Sequence, residues 1–225
     1  MSGETPGTER MLRDIEREVR LTRHLTGRDH FAPGVMAAMR EVPRDVFVGE
    51  GMRAFAYDNG PLPIGHGQTI SQPYIVALMT DLLDPDPDDV ILEVGTGSGY
   101  QAAVLAQVVA QVYTVEIIEA LSSVAMGRLA ALGYRNVSAR VGDGYFGWPE
   151  HAPYDGIVVT AAAPNIPPLL VEQLKPGARL VIPLGEPYFS QQLMLVEKAG
   201  DGVVSEKVVL PVAFVPLTGS HGVKT

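Results

Sequence analysis

The stretch Val90-Ile91-Leu92-Glu93-Val94-Gly95-Thr96-Gly97-Ser98-Gly99-Tyr100 decides the fold. Its first five residues form a short apolar run rich in β-branched side chains, which suits a strand buried on both faces. Three alternate glycines follow, and the chain then continues from Tyr100 at helical spacing. Glycines at a strand-to-helix turn admit positive φ and let backbone N–H groups approach a ligand closely, although a tight turn alone would also use them. Working outward, strands fit residues 112–116, 137–141 and 156–160. Helices fit about 100–109 and 118–132, and another at 167–174 leads to a strand at 178–183. Such alternation predicts right-handed βαβ units and a mostly parallel, doubly wound α/β sheet covered on both faces. Residues 192–197 and 204–216 lack an intervening helix and predict an antiparallel pair finishing the sheet edge. Upstream, residues 10–25, 33–42 and 73–83 predict an N-terminal helical segment, with Pro33 in the first turn of the second helix. Residues 43–72 predict a long irregular stretch, a feature that is usually functional in a compact domain, and 84–89 a polar turn.

The strand tips suggest a ligand. The spacing here is G-x-G-x-G, whereas the dinucleotide form G-x-G-x-x-G would need glycine where Tyr100 stands. Glu116 ends the second strand 21 residues after Gly95. A carboxylate there can accept hydrogen bonds from both hydroxyls of a ribose, or simply be a solvated strand end. Asp143, between Gly142 and Gly144 at the third strand tip, can bond an adenine amino group or close an Asx turn. A site offering Glu93, Glu116 and Asp143 and no Lys or Arg would repel a pyrophosphate and favour a cationic sulfonium cofactor.

Composition narrows the class. The chain has 225 residues, 46% hydrophobic and 19% charged, a globular balance. Net charge is −9, and the one basic cluster, Arg13, Arg17, Arg20 and Arg23, alternates with Leu12, Ile15, Val19 and Leu25. That pattern predicts the solvated face of a helix and argues against nucleic acid as a partner. Without cysteine there is no disulfide, no thiolate nucleophile and no Cys-based metal site. The scattered His24, His30, His151 and His221 show no metal-ligand spacing, so no metal is expected. Residues 1–9 are small and polar and are expected to be disordered, and no apolar run is long enough to span a bilayer. The chain is expected to be cytoplasmic and monomeric, with residues 10–225 as one domain. Within it, 10–89 would carry the helices and a substrate loop, and 90–225 the cofactor-binding core.

A further segment, YDNGPLPIGHGQTISQPYIVA (57–77), is not explained by composition or periodicity. Together with VILEVGTGSGYQAAVLA (90–106), VGDGYFGW (141–148), APYDGIVVTAAAPNIP (152–167), QLKPGARLVIPLG (173–185) and VAFVPLT (212–218), it resembles the protein-L-isoaspartate O-methyltransferases. The likeness runs from about residue 10 to 218. It implies the Rossmann-like fold of S-adenosylmethionine-dependent methyltransferases, with S-adenosyl-L-homocysteine as product. It also implies methyl transfer to the free α-carboxylate of L-isoaspartyl, and D-aspartyl, residues in damaged proteins and peptides.

The resemblance also distributes roles. Ser71 matches the family's active-site serine, although a serine just before Gln72-Pro73 could also cap a helix. Glu93, Gly95, Thr96, Gly97, Ser98 and Gly99 would surround the methionine part of the cofactor. Glu116 would bind ribose, Asp143 and Gly144 adenine, and Thr218 would add a last contact. Ile64, His66, Gln68, Thr69 and Ile70 in the loop, Thr160 and Ala161 at the fourth strand tip, and Val215 and Pro216 near the end would face substrate. His66 could equally face solvent. Asp155 is expected to bond backbone at the sheet edge, and Trp148 to lie in the core or a pocket wall. The alternatives are a carboxyl methyltransferase for another peptide or small carboxylate, a nicotinamide-dependent dehydrogenase, and a non-catalytic module that recognises damaged peptides. Tyr100 in the third-glycine position and the absence of a cation for pyrophosphate argue against the dehydrogenase.

Overall fold

The computed structural model describes residues 5–186 and 189–220. Helix α1 (Pro6–Thr26) starts on the Thr5 hydroxyl, which accepts the Thr8 N–H at 3.1 Å, and ends at Gly27 with φ 71°. A capping threonine, a proline in the first turn and a left-handed glycine at the end are sufficient stop and start signals. The disorder expected through residue 9 therefore gives way to helix from Pro6, and residues 1–4 lie outside the described residues. Met11, Leu12, Ile15 and Val19 are buried, and the four arginines face solvent. Leu25, expected in the apolar stripe, is 43% exposed, because six residues beyond Val19 it has turned away from the core face.

Helix α2 (Pro33–Glu41) follows. The stretch expected to be irregular holds two turns of 3₁₀ helix, Arg44–Phe47 and Glu50–Phe55, and a small hairpin. Its strands, β1 (Leu62–Gly65) and β2 (Gln68–Ile70), pair antiparallel across His66-Gly67, whose φ values of 53° and 70° suit a tight primed turn. Helix α3 (Pro73–Leu83) is buried on every side except at Ile75.

The core follows as β3 (Val90–Val94), α4 (Tyr100–Ala106), β4 (Gln111–Glu116), α5 (Glu119–Ala131), β5 (Val137–Val141), β6 (Tyr154–Val159), α6 (Pro168–Glu172), β7 (Leu174–Leu184), β8 (Gln191–Lys198) and β9 (Val204–Val212). The seven-stranded sheet has the order β5-β4-β3-β6-β7-β8-β9, parallel from β5 to β7 and closed by antiparallel β8 and β9. The chain winds outward from β3 to β5, then returns to the other side of β3 as β6. That reversal opens a crevice at the carboxyl ends of β3, β4 and β6, where ligands bind in open α/β sheets.

Alternate residues of each strand enter different cores. Ile91, Val158 and Val181 pack with α1 to α4, while Leu92, Ile157 and Leu180 pack with Leu170 of α6 on the opposite face. Asp155 holds the sheet's far end: its carboxylate accepts the Val90 N–H at 2.9 Å and pairs with Lys175 at 2.7 Å. Trp148 lies against Tyr113, ring centroids 5.4 Å apart, on the margin of the second core and away from the crevice. Among the described residues no helix is long and apolar enough to cross a membrane.

Candidate active site

The crevice contains a cavity built from successive strand tips. Gly95, Thr96, Gly97 and Ser98 form one wall, Glu116, Ile117 and Ile118 a second, Gly144, Thr160, Ala161 and Val215–Thr218 a third, and Gln68–Ser71 a fourth. Gly95, Gly97 and Gly99 take φ values of 97°, 53° and 89°, which side chains rarely adopt. At Gly95 the space is also filled, since an added Cβ would stand 2.4 Å from the Thr160 hydroxyl oxygen. That hydroxyl donates to the Gly95 carbonyl at 2.6 Å and so ties the tip of β6 to the turn after β3. Gly99 does not line the cavity; its missing side chain lets Ala125 of α5 pack close, with an added Cβ only 3.2 Å from Ala125 Cβ.

Glu116 organises the turn. Its two oxygens accept the Gly97 N–H at 2.8 Å and the Ile118 N–H at 3.0 Å, each keeping a second lone pair. The carboxylate thus sits at the cavity wall, fixed and able to accept further hydrogen bonds.

A second cavity adjoins the first. Glu18, Pro61, Gln72, Tyr74, Ile75 and residues 210–214 line it, and it shares Thr69, Ser71, Thr160 and Val215 with the first. Ser71, half-buried, follows β2 and precedes α3, so it stands where the two cavities meet. The segment after β9 closes both. Ala162 N–H donates to Val215 O at 2.8 Å and Leu217 N–H to Ala162 O at 2.7 Å, stitching this strap to the chain beyond β6.

Gln68, Thr69, Ile70, Ser71, Thr160, Ala161, Val215, Pro216 and Thr218 all line the first cavity, as their sequence positions suggest. Besides Gly99, four expected residues do not. Glu93 is fully buried behind the turn, where its carboxylate accepts the Thr114 hydroxyl at 2.5 Å and Thr114 accepts Thr96 at 2.6 Å. Strand alternation sends it to the same face of the sheet as Ile91, the face covered by α1 to α4. Burial pushes its pKa up to about 8; the Thr114 bond opposes the shift and the Glu116 charge adds to it. His66 is at the exposed hairpin tip. Ile64 packs behind Gly97, 3.6 Å from where a Cβ would be. Asp143 caps the turn that follows it through Tyr145 N–H at 3.0 Å, and its other oxygen accepts Ser220 N–H and Oγ–H at 2.8 and 2.7 Å. The Asx turn is thus present, with Ser220 clipped to it.

Sequence reasoning also missed contributors. Glu18, from α1, carries a carboxylate that accepts from the Asn59 and Gln72 side-chain amides at the edge of the second cavity. Two arginines lie nearer than the sequence suggests: Arg128 reaches the Ser98 carbonyl at 3.4 Å and Arg44 the Ser71 carbonyl at 2.7 Å. Neither lines either of these two cavities, and among the described residues no Lys, Arg or His does. These contacts join segments 27 to 54 positions apart, beyond any local pattern. The enclosure offers carboxylates, hydroxyls and backbone amides. That donor set fits a nucleoside bearing a sulfonium better than one bearing a pyrophosphate.

Comparison with known proteins gives the same direction. A family model described as protein-L-isoaspartate(D-aspartate) O-methyltransferase matches residues 18–222. The protein-L-isoaspartate O-methyltransferase 2 of Syntrophobacter fumaroxidans is 60% identical over 212 residues, 94% of this chain and 86% of that protein. A solved protein-L-isoaspartate O-methyltransferase superposes with a TM-score of 0.83 at 28% identity, covering 96% of this chain and 67% of that one. A Plasmodium falciparum protein described as a β-aspartate methyltransferase, in complex with S-adenosyl-L-homocysteine, shares the fold with a TM-score of 0.76 at 24% identity. That match covers 96% of this chain and 99% of that one.

Proposed function

This chain belongs to the protein-L-isoaspartate (D-aspartate) O-methyltransferase family, and from that membership we propose how its residues divide the reaction. The enzyme transfers a methyl group from S-adenosylmethionine to the free α-carboxylate of L-isoaspartyl residues in damaged proteins, which starts repair through a succinimide. D-aspartyl acceptors fall under the same proposal.

One observation carries the assignment of roles: two cavities meet at Thr69, Ser71, Thr160 and Val215. The first cavity takes the cofactor, which supplies an electrophilic methyl group on a sulfonium. The glycine turn, with Thr96 and Ser98, surrounds the methionine part, and Glu116 accepts the ribose hydroxyls with its free lone pairs. Gly144 and Thr218 border the adenine, whose amino group would take over the Asp143 oxygen that Ser220 holds. Glu93 acts from behind, as a buried support for the turn.

The second cavity takes the acceptor. Its carboxylate is ionised at neutral pH and already nucleophilic, so the protein need not provide a base. Ser71 donates one hydrogen bond and orients it toward the first cavity. Gln68, Ile70, Ala161 and Pro216 exclude water around the reacting centre. Bringing opposite charges together in a desolvated site and holding them in line is the main contribution left to the protein. Ile64 supports the glycine turn from outside, and His66 at the hairpin tip is placed to meet substrate chain beyond the cavity. The charge of −9 disfavours nucleic acid as a partner. A cytoplasmic monomer completes the proposal; light scattering giving about 24.1 kDa checks the oligomeric state.

The test is methyl transfer from labelled S-adenosylmethionine to two peptides of one sequence, one with L-isoaspartate and one with L-aspartate. Base-labile label on the isoaspartyl peptide alone is expected. Label on neither, with cofactor binding intact, would assign the second cavity to another carboxylate.

A further inference from the structure

Arg44 is a charged side chain with no counter-charge. It is 0% exposed, and among the described residues it makes no ion pair. A buried guanidinium without a carboxylate is costly and is kept only where other groups satisfy it. Here the satisfying groups are backbone carbonyls from separate parts of one irregular segment. Nε donates to Ala56 O at 2.8 Å, and Nη2 donates to Gly60 O at 3.3 Å and Ser71 O at 2.7 Å, while Nη1 has no hydrogen-bond partner. The guanidinium carbon also lies 4.7 Å from the centroid of the Tyr100 ring. Tyr100 is the first residue of α4, immediately after the glycine turn.

These contacts span the two halves of the site. On one side the guanidinium grips the peptide that carries Ser71, by a short charge-assisted bond. On the other it rests on the helix that begins where the cofactor turn ends. A planar fork can do both at once, whereas a lysine ammonium offers a single point of attachment. Arg44 lines neither cavity, so it reaches the reaction only through what it holds. In-line transfer is sensitive to displacements of about 1 Å in the groups that orient the reactants.

We propose that Arg44 is a positioning residue for methyl transfer, fixing the Ser71 peptide relative to the glycine turn. The inference rests on Ser71 as the group that orients the acceptor.

A double-mutant cycle separates the two. Arg44→Met, Arg44→Lys, Ser71→Ala and the double variant Arg44→Met/Ser71→Ala are assayed for kcat and KM on an isoaspartyl peptide. S-adenosylhomocysteine affinity is measured by calorimetry and folding by thermal melting. Arg44→Met is expected to lower kcat by roughly 30- to 100-fold with cofactor-product affinity within about threefold, and Arg44→Lys to recover part of the loss. In the Ser71→Ala background the same change should cost no more than about threefold, because the two act as one unit. Multiplying losses, or a fall in S-adenosylhomocysteine affinity as large as the fall in kcat, would overturn the inference. Wild-type turnover in Ser71→Ala would overturn the role of Ser71 itself and remove the basis for this one. Loss of folding in both Arg44 variants would make Arg44 a folding residue only and overturn the inference as well.

Discussion

Glu116 at the crevice and Glu93 behind it are 6% and 0% exposed, and they differ in what surrounds them. Glu116 is met by two backbone N–H groups and borders the cavity. Glu116→Gln removes a charged acceptor and leaves one of those N–H groups facing an amide nitrogen. Charge-assisted bonds contribute roughly 1.5–3 kcal/mol, so cofactor affinity should fall about 10- to 100-fold. Calorimetry with both S-adenosylmethionine and S-adenosylhomocysteine checks the cause. Equal losses mean ribose contact, while a larger loss for the sulfonium form means charge. Glu93 works through stability. Its carboxyl is held near a pKa of about 8 by burial, whereas the unfolded chain has the ordinary value of 4.5. Between those values the folded state keeps a proton that the unfolded state has released. Stability from this group is therefore full below pH 4.5 and is lost as pH rises through about 8. The melting temperature of the free protein should fall from pH 5 to pH 8, and Glu93→Gln should flatten that slope.

At the scale of elements, the glycine turn and the hairpin show opposite relations between sequence and structure. The turn follows from local chemistry: a buried strand, glycines that accept positive φ, and a helix behind them. Its demands nonetheless differ by position. At Gly95 a side chain would strike the Thr160 hydroxyl at 2.4 Å, whereas at Gly97 it would meet only Ile64 at 3.6 Å. Gly95→Ala should destabilise the protein by about 2 kcal/mol or more and abolish cofactor binding, and Gly97→Ala should do less of both. Thermal melts of the two variants, with and without S-adenosylhomocysteine, decide it. The hairpin at 62–70 is not legible locally. Its strands are four and three residues long, amid prolines and glycines, and they stand because Leu62 and Ile64 pack on the core. Arg44 meets the carbonyls of the segments on either side. Likewise the motif acid Glu93 reads as a ligand, but strand alternation turns it inward. Asp143 reads as an adenine ligand or an Asx turn; the turn is present, and Ser220, 77 positions away, holds the other oxygen.

Over the whole molecule, the parallel core and the antiparallel pair that ends it are legible because each strand and helix announces its own period. The second cavity is not, since α1, the start of α3 and the strap after β9 build it together. This enclosure reaches beyond the enzyme. Ser71 sits half-buried between a helix and a strap, so under the proposed division of the two cavities an acceptor would arrive as extended, unpaired chain. An isoaspartate within a stable helix of a client protein cannot present itself until that helix opens. The opening free energy of the client, and not the affinity of the catalyst, then sets how fast such a site is mended. For one damaged client carried through a series of stabilising substitutions, the methylation rate should fall in proportion to amide hydrogen exchange at the lesion. Repair would in this way act first on the parts of other proteins that are already coming undone.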